Sequence, residues 1–435
     1  MTLTAQIYDR LSSLVVSSSW RRGKEAAPKP EALIESARAL PGLRSETRVM
    51  AMAVEVLDGY AALDDAGKRV FFDALRDGFD PDPEALAGAA RAYLDIGDPA
   101  ALENLSRLAE PPRQELLRRL NMAPGGTARL VGMRADLLRL TGRDAAFARV
   151  DADFRHLLKS WFNRGFLELV RIDWRSPALL LEKLIEYEAV HEIRDFRDLQ
   201  MRVLPPDRRC YAYMHPAMPD EPLIFVEVAL TEGLPDSVQG LIEETRELLP
   251  PEKADTAVFY SISNCQAGLA GISFGNLLIK NVVAELSREL PGLSVFVTLS
   301  PIPGLRAWLE ERSKAGETAI AKLLDDPTPA ALSAQTARYL LLAKDDRGRP
   351  RDPVARFHLG NGAEAHRVIS SADISKRGQK QSLGMMVNYL YDRRRIEAQH
   401  DEFTESGTIA APKKLQELAR KAETEARQTD GKKKK

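Results

Sequence analysis

Cysteine is scarce in this chain of 435 residues: only Cys210 and Cys265 occur. Two thiols cannot build a disulfide framework or a four-thiolate zinc site, and so few of them fit a reducing compartment. An excess of charge is also missing. Against 63 acidic residues stand 62 basic ones, a net charge of −1 that leaves no electrostatic footprint for nucleic acid. No apolar run approaches the roughly eighteen residues that span a bilayer. Residues 1–25, MTLTAQIYDRLSSLVVSSSWRRGKE, contain no secretory core with a cleavage site. Histidine is sparse too, and no two of the six share metal-ligand spacing with a carboxylate, so no metal site is expected. What remains is a cytoplasmic protein without a nucleic-acid or membrane partner.

What is present describes an ordinary globular chain, 44% hydrophobic and 29% charged, long enough for two domains. Up to about residue 165 the pattern is helical. KRVFFDALRDGF places Phe72, Leu75 and Phe79 on one face, and ARLVGMRADLLRL does so with Leu130, Met133, Leu137 and Leu140. Breaks fall at LPGL, FDPDP, AEPP and NMAPGG, as in a bundle of antiparallel helices. No polar constellation with catalytic spacing stands out there, which reads as scaffold and assembly surface. From about residue 166 short β-rich runs appear, RCYAYMH, PLIFVEVAL, TAVFYSIS and SVFVTLS, alternating with helices such as DSVQGLIEETRELL and NLLIKNVVAELSREL. This second domain, 166–411, is mixed α/β with a buried sheet centre. Residues 412–435 read as a charged, solvated helix with a lysine tail.

Three segments carry candidate chemistry. Gly268, Gly271 and Gly275 follow the strand TAVFYSIS and precede an amphipathic helix. A helix N-terminus facing bare backbone suits a phosphate, with Ser273 as cap and Lys280 as a more distant cation. The spacing is neither a P-loop nor a dinucleotide fingerprint, and a tight turn without ligand explains it equally well. SVFVTLSPIPG ends a strand at Ser300, because Pro301 and Pro303 cannot donate to a sheet. In an open sheet with parallel strands, that serine shares a rim with the glycine loop. His358, in RFHLGNGAEAHRV, lies in a non-periodic segment beside Gly360 and Gly362, which suits a positioned side chain.

Four segments in order, FYSISNCQAGLAGISFGNLLIKNVV, LSPIPG, FHLGNG and SLGMMVNYLY, resemble the signatures of the malonyl-CoA decarboxylase family. The likeness runs from about Asp153 to Tyr391. It implies a helical bundle, 1–165, followed by an acyl-CoA-binding α/β domain like the GNAT acyltransferases, the pair assembling into a homo-oligomer, dimer or tetramer. It implies conversion of malonyl-CoA to acetyl-CoA and carbon dioxide. By the same resemblance Ala270, Gly271, Ile272, Ser273, Phe274, Gly275 and Asn276 hold coenzyme A, Ser300 and His358 form the catalytic pair, and Tyr391 joins the site. Animal members carry an acidic residue where this chain has Ser273, and a longer insert between the serine and the histidine.

The chemistry agrees with these residues. Once carbon dioxide leaves, the thioester carbonyl accepts the electron pair as an enolate, so no biotin, PLP, thiamine or metal is required. An acid must then protonate the carbon: His358, titrating near neutrality, can donate, Ser300 can hydrogen-bond the departing carboxylate or the thioester oxygen, and the sequence leaves open which of the two delivers the proton. Two rivals use the same coenzyme A turn: a GNAT-type acyltransferase, which needs an acceptor groove and a base, and a non-catalytic binding protein.

Overall fold

The structure, a computed structural model, describes residues 29–142, 144–243, 245–272 and 278–431. It forms two compact units. The first contains the described helices up to Phe166, together with the described residues of His215–Pro219 and Gln266–Ser273. Its helices are α1 (Pro30–Ala39), α2 (Glu46–Ala61), α3 (Asp65–Gly78), α4 (Pro83–Ile96), α5 (Pro99–Ala109), α6 (Pro112–Asn121), α7 (Gly126–Thr141) and α8 (Ala148–Trp161). Asp64, Asp82 and Asp98 cap α3, α4 and α5 by accepting backbone N–H groups of the first turn. Phe72, Leu75 and Phe79 are buried together with Leu130, Met133 and Leu137, as their periodicity predicts. Arg113, buried in α6, ties three helices: it donates to Asp153 of α8 at 2.7 Å, to the Leu75 carbonyl of α3 at 2.6 Å and to Asp80 at 3.0 Å.

The second unit is built on one sheet: β1 (Glu168–Ile172), β2 (Arg208–Met214), β3 (Ile224–Thr231), β4 (Thr256–Asn264), β5 (Val295–Thr298), β6 (Ser300–Pro301), β7 (Glu364–Ile369) and β8 (Met386–Leu390). The order is β1-β2-β3-β4-β5-β8, with β6 and β7 also paired to β8. One core, with Leu180, Leu184, Leu199 and Phe225, packs around β2 and β3; another, with Val238, Val258, Tyr260 and Val297, packs around β4 and β5. Both were legible as apolar runs. The pairing was not. Only β4 and β5 run parallel among the described strands, and these are the two strands on which the loop argument rested; the other pairings are antiparallel.

Two irregularities shape this sheet. Glu227 faces Ser261 while Val228 faces Phe259, which leaves Tyr260 as an extra residue in a β-bulge. Strand β5 accompanies β4 only to the bond from the Leu299 N–H to the Phe259 carbonyl, 3.0 Å. Beyond it, Ser261–Asn264 of β4 are paired to β3 alone among the described strands.

Flanking helices include α9 (Leu278–Glu289), α10 (Pro329–Leu342), α11 (Pro353–Gly360), α12 (Ile396–Ser406) and α13 (Lys413–Gly431). Several differ from the sequence reading. DSVQGLIEETRELL is helical only over Gln239–Ile242. The charged C-terminal helix is not solvated all round: Leu415, Ala419, Ala422 and Ala426 are buried, and Arg338 of α10 donates to Glu423 at 2.6 Å. A 4-3-4 spacing of small apolar residues is easily hidden by surrounding lysines and glutamates. The terminal lysines lie outside the described residues.

FHLGNG is helical as well. Pro353 starts α11, with Asp352 as its cap, and Gly362 ends it. The Ala363 N–H bonds the His358 carbonyl at 3.1 Å and the Gly362 N–H bonds the Leu359 carbonyl at 3.0 Å, a Schellman closure. Gly362 has φ +79°, and a Cβ there would lie 1.9 Å from the Ile396 carbonyl oxygen. Gly362→Ala is therefore expected to cost more than about 1 kcal/mol, read as a lowered urea midpoint; an unchanged midpoint would show that this closure does not require glycine.

Candidate active site

Ser300, His358 and Tyr391 meet in the second unit. The Ser300 hydroxyl and His358 Nε2 are 3.0 Å apart, and His358 Nδ1 lies 2.8 Å from the Tyr391 hydroxyl. Serine and histidine are 58 residues apart in sequence. Their meeting depends on a break in the strand. The sequence placed its end at Ser300; β5 in fact stops at Thr298, and Ser300–Pro301 turn to pair with β8 as β6. Pro301 is tolerated because this short strand is at the end of the sheet order, where the missing N–H leaves no ladder bond unmade.

Alternation along the strands supplies the neighbours. The Ser300 hydroxyl donates to Thr298 Oγ1 at 2.8 Å, which also accepts the Tyr389 N–H at 3.1 Å. Tyr389 and Tyr391, two apart, share a face. The first stacks on the imidazole with centroids 4.5 Å apart and an interplanar angle of 22°, and the second bonds it. The Asn388 amide donates to the Thr298 carbonyl at 2.7 Å and locks the two strands together.

His358 is only 3% exposed, and burial pulls its pKa down from the ordinary 6.5 to about 3. It is therefore neutral at neutral pH, contrary to the expected titration near neutrality. Burial likewise pushes both tyrosine hydroxyls up, keeping them protonated. With a neutral ring the chain runs one of two ways. With Ser300 donating to Thr298, Tyr391 donates to Nδ1 and Nε2–H donates to Ser300; if the Thr298 hydroxyl instead donates to Ser300, Ser300 donates to Nε2 and Nδ1–H donates to Tyr391.

Ser300 and His358 open onto a cleft of about 260 Å³ walled by Val190, Phe259, Ile262, Val354 and Phe357. No charged side chain among the described residues lines it. Val190 is held there by Glu188, whose carboxylate accepts the Val190 and His191 N–H groups at 2.8 and 2.7 Å and the Ser261 hydroxyl at 2.7 Å.

The glycine segment has its own surroundings. Ala270, Gly271 and Ile272 belong to the helical unit, whereas Ser273, Phe274, Gly275 and Asn276 lie outside the described residues. Gly268 packs on α7 so closely that a Cβ would lie 1.9 Å from the Val131 carbonyl oxygen, and Gly271 takes φ +76°. Arg134, buried in α7, donates to the Gly268 and Ala270 carbonyls at 2.6 and 3.0 Å and is itself held by Asp151 at 2.8 Å. At least two of the three glycines thus serve packing and turning. Lys280, read as a distant cation, is paired with Glu397 at 2.9 Å.

Residues 165–429 match the family model described as the malonyl-CoA decarboxylase C-terminal domain, and residues 79–162 match the N-terminal domain of the same family. The chain belongs to the malonyl-CoA decarboxylase family. It is similar to the crystal structure of malonyl-CoA decarboxylase from Rhodopseudomonas palustris, with 47% identity and a TM-score of 0.85 over 90% of this chain and all of that one. It is 36% identical to the mitochondrial malonyl-CoA decarboxylase of Anser anser anser over 65% of this chain and 64% of that protein. It is 34% identical to the mitochondrial enzyme of Mus musculus over 76% and 78%.

In this member of the malonyl-CoA decarboxylase family, three signature segments meet through Ser300, His358 and Tyr391, the first two of which line the cleft. Thr298, Tyr389, Glu188 and Arg134 escaped the sequence reading. The i, i+2 spacing of Thr298 to Ser300 and of Tyr389 to Tyr391 was the available signal for two of them; Glu188 and Arg134 act on segments 73 and 134 residues away and carried none.

The depressed pKa has a consequence for stability. Between about pH 6.5 and 3 the unfolded chain binds a proton that buried His358 refuses. This contribution is complete above pH 6.5 and is lost as the pH falls toward 3. His358→Gln is therefore expected to lose less stability than the parent between pH 7 and pH 5, compared by urea midpoints; equal losses would mean that burial does not hold this ring neutral.

Proposed function

We propose that the chain decarboxylates malonyl-CoA to acetyl-CoA and carbon dioxide through a thioester enolate, with Ser300, His358 and Tyr391 as its catalytic groups. The observation that carries this reading is a neutral serine–histidine–tyrosine chain opening onto an apolar cleft without a charged wall. A carboxylate brought there loses hydration and meets no fixed cation, a cost that remote coenzyme A binding offsets and that is relieved as its charge spreads into the thioester enolate and is protonated.

The bond between the carboxylate carbon and the α-carbon breaks, its electron pair enters the thioester as an enolate, and one proton adds to the α-carbon. Only burial depresses His358. The substrate carboxylate supplies the missing counter-charge and raises the imidazole pKa, so binding draws a proton in. Departure of carbon dioxide leaves that charge on the enolate, and transfer of the proton from the imidazolium to the α-carbon neutralises both. Ser300 donates to the carboxylate or the thioester oxygen, and Tyr391 holds the ring.

Ala270–Asn276 are assigned to coenzyme A. The half-paired stretch Ser261–Asn264 suits the amides of its pantetheine arm, as a free strand edge does any extended amide chain. An acyltransferase is less well supported, because it needs a base for its acceptor amine. A histidine held near pKa 3 is a poor base, and no carboxylate among the described residues lines the cleft.

This reading extends to a cytoplasmic homo-oligomer, dimer or tetramer, serving fatty-acid metabolism. Two free, buried cysteines suit a reducing compartment, and exposed Leu94, Ile96 and Leu102 on α4 and α5 suit self-association.

The purified protein, treated with a chelator, is expected to release acetyl-CoA and carbon dioxide from malonyl-CoA, with one deuterium in the product methyl when run in D2O. Ser300→Ala and His358→Ala should each lower kcat by roughly a hundred- to ten-thousand-fold, and Tyr391→Phe by about ten-fold. Turnover surviving the first two substitutions would remove the assigned roles. Coenzyme A binding without turnover would hand the site to the acyltransferase or the binding protein.

A further inference from the structure

Asp352 is 1% exposed and has no ion-pair partner among the described residues. Burial raises its pKa, with Arg356 a minor opposing influence. Its Oδ1 accepts the Val354 and Ala355 N–H groups, both at 2.9 Å, and so caps the helix that ends in His358. Asparagine caps a helix as well as aspartate and carries no charge into the interior. Capping alone therefore does not account for a carboxylate here.

The rest of the carboxylate faces the serine loop. Gly304, four residues after Ser300, packs against it, and the Tyr339 hydroxyl of α10 donates to Oδ2 at 3.5 Å. The contact between loop and helix leaves no slack, since a Cβ on Gly304 would lie 2.3 Å from the Tyr339 hydroxyl and 3.8 Å from Asp352 Oδ2. Tyr389, stacked on His358, responds electrostatically to both Asp352 and Tyr339. One buried carboxylate thus joins the start of the histidine helix to the end of the Ser-Pro-Ile-Pro-Gly loop.

We propose that Asp352 is a positioning residue: by holding the α11 N-terminus and the Tyr339 hydroxyl that abuts Gly304 at once, it fixes the separation of Ser300 from His358. Six residues of rigid helix carry its position to the imidazole, and a two-proline loop carries it to the serine. The proposal rests on the decarboxylase reading. Asp352 touches neither reacting group, so its loss should act on the chemical step and spare coenzyme A binding.

Asp352→Asn separates the two duties. Asparagine Oδ1 still caps α11, while its amide nitrogen no longer accepts the Tyr339 hydroxyl, so the hold on the loop is loosened. The expected result is a kcat roughly ten- to a hundred-fold lower, with KM for malonyl-CoA and thermal midpoint close to the parent. A second series reaches the same joint from the other side. Gly304→Ala drives a methyl into the Tyr339 hydroxyl and should lower kcat; adding Tyr339→Phe removes that hydroxyl and should restore part of it. Parental kcat in Asp352→Asn overturns the proposal, as does a Gly304→Ala loss that Tyr339→Phe fails to relieve. If Asp352→Asn does not fold, the Gly304 series decides alone. Absence of turnover in the parent protein would instead sink the decarboxylase reading itself.

Discussion

Burial strips water from His358, and nothing charged among the described residues takes its place. From that one condition the character of the site follows. The ring is neutral, so its partners are hydroxyls rather than carboxylates: Ser300 on one nitrogen, Tyr391 on the other, with Tyr389 against its face. A carboxylate bonded to Nδ1, as in a serine-hydrolase triad, would hold the ring ready to accept a proton. Two hydroxyls leave its protonation to whatever charge the substrate brings. The same lack of charge makes the cleft a poor place for a carboxylate to remain, which is what a decarboxylation needs.

The geometry is held by backbone devices rather than by strong ion pairs at the site. Strand β5 gives way to β6 so that Ser300 leaves the β4 side of the sheet and joins β8. A capped first turn and a Schellman closure delimit a helix of eight residues with the histidine in its last turn. Charged side chains do their joining elsewhere: buried Arg113 within the helical unit, buried Arg134 on the glycine segment, half-buried Glu188 behind Val190. Arg134 alters the meaning of the helical part, which bears directly on a segment assigned to coenzyme A instead of serving as scaffold alone.

Apolar periodicity disclosed the helices and the buried strands, because burial of one face repeats every few residues and needs no knowledge of partners. The four signature segments pointed to Ser300, His358 and Tyr391 by resemblance, and two-residue spacing held the clue to Thr298 and Tyr389. Here the determinants are local. Other features were beyond a linear reading. Pro353, Gly360 and Gly362 look like loop punctuation, yet they bound a helix, since proline suits a first turn and glycine a left-handed closure. Strand order, the bulge at Tyr260 and the turn into β6 depend on which backbone lies alongside. The pKa of His358 is set by what surrounds it on every side, and only the folded chain decides that.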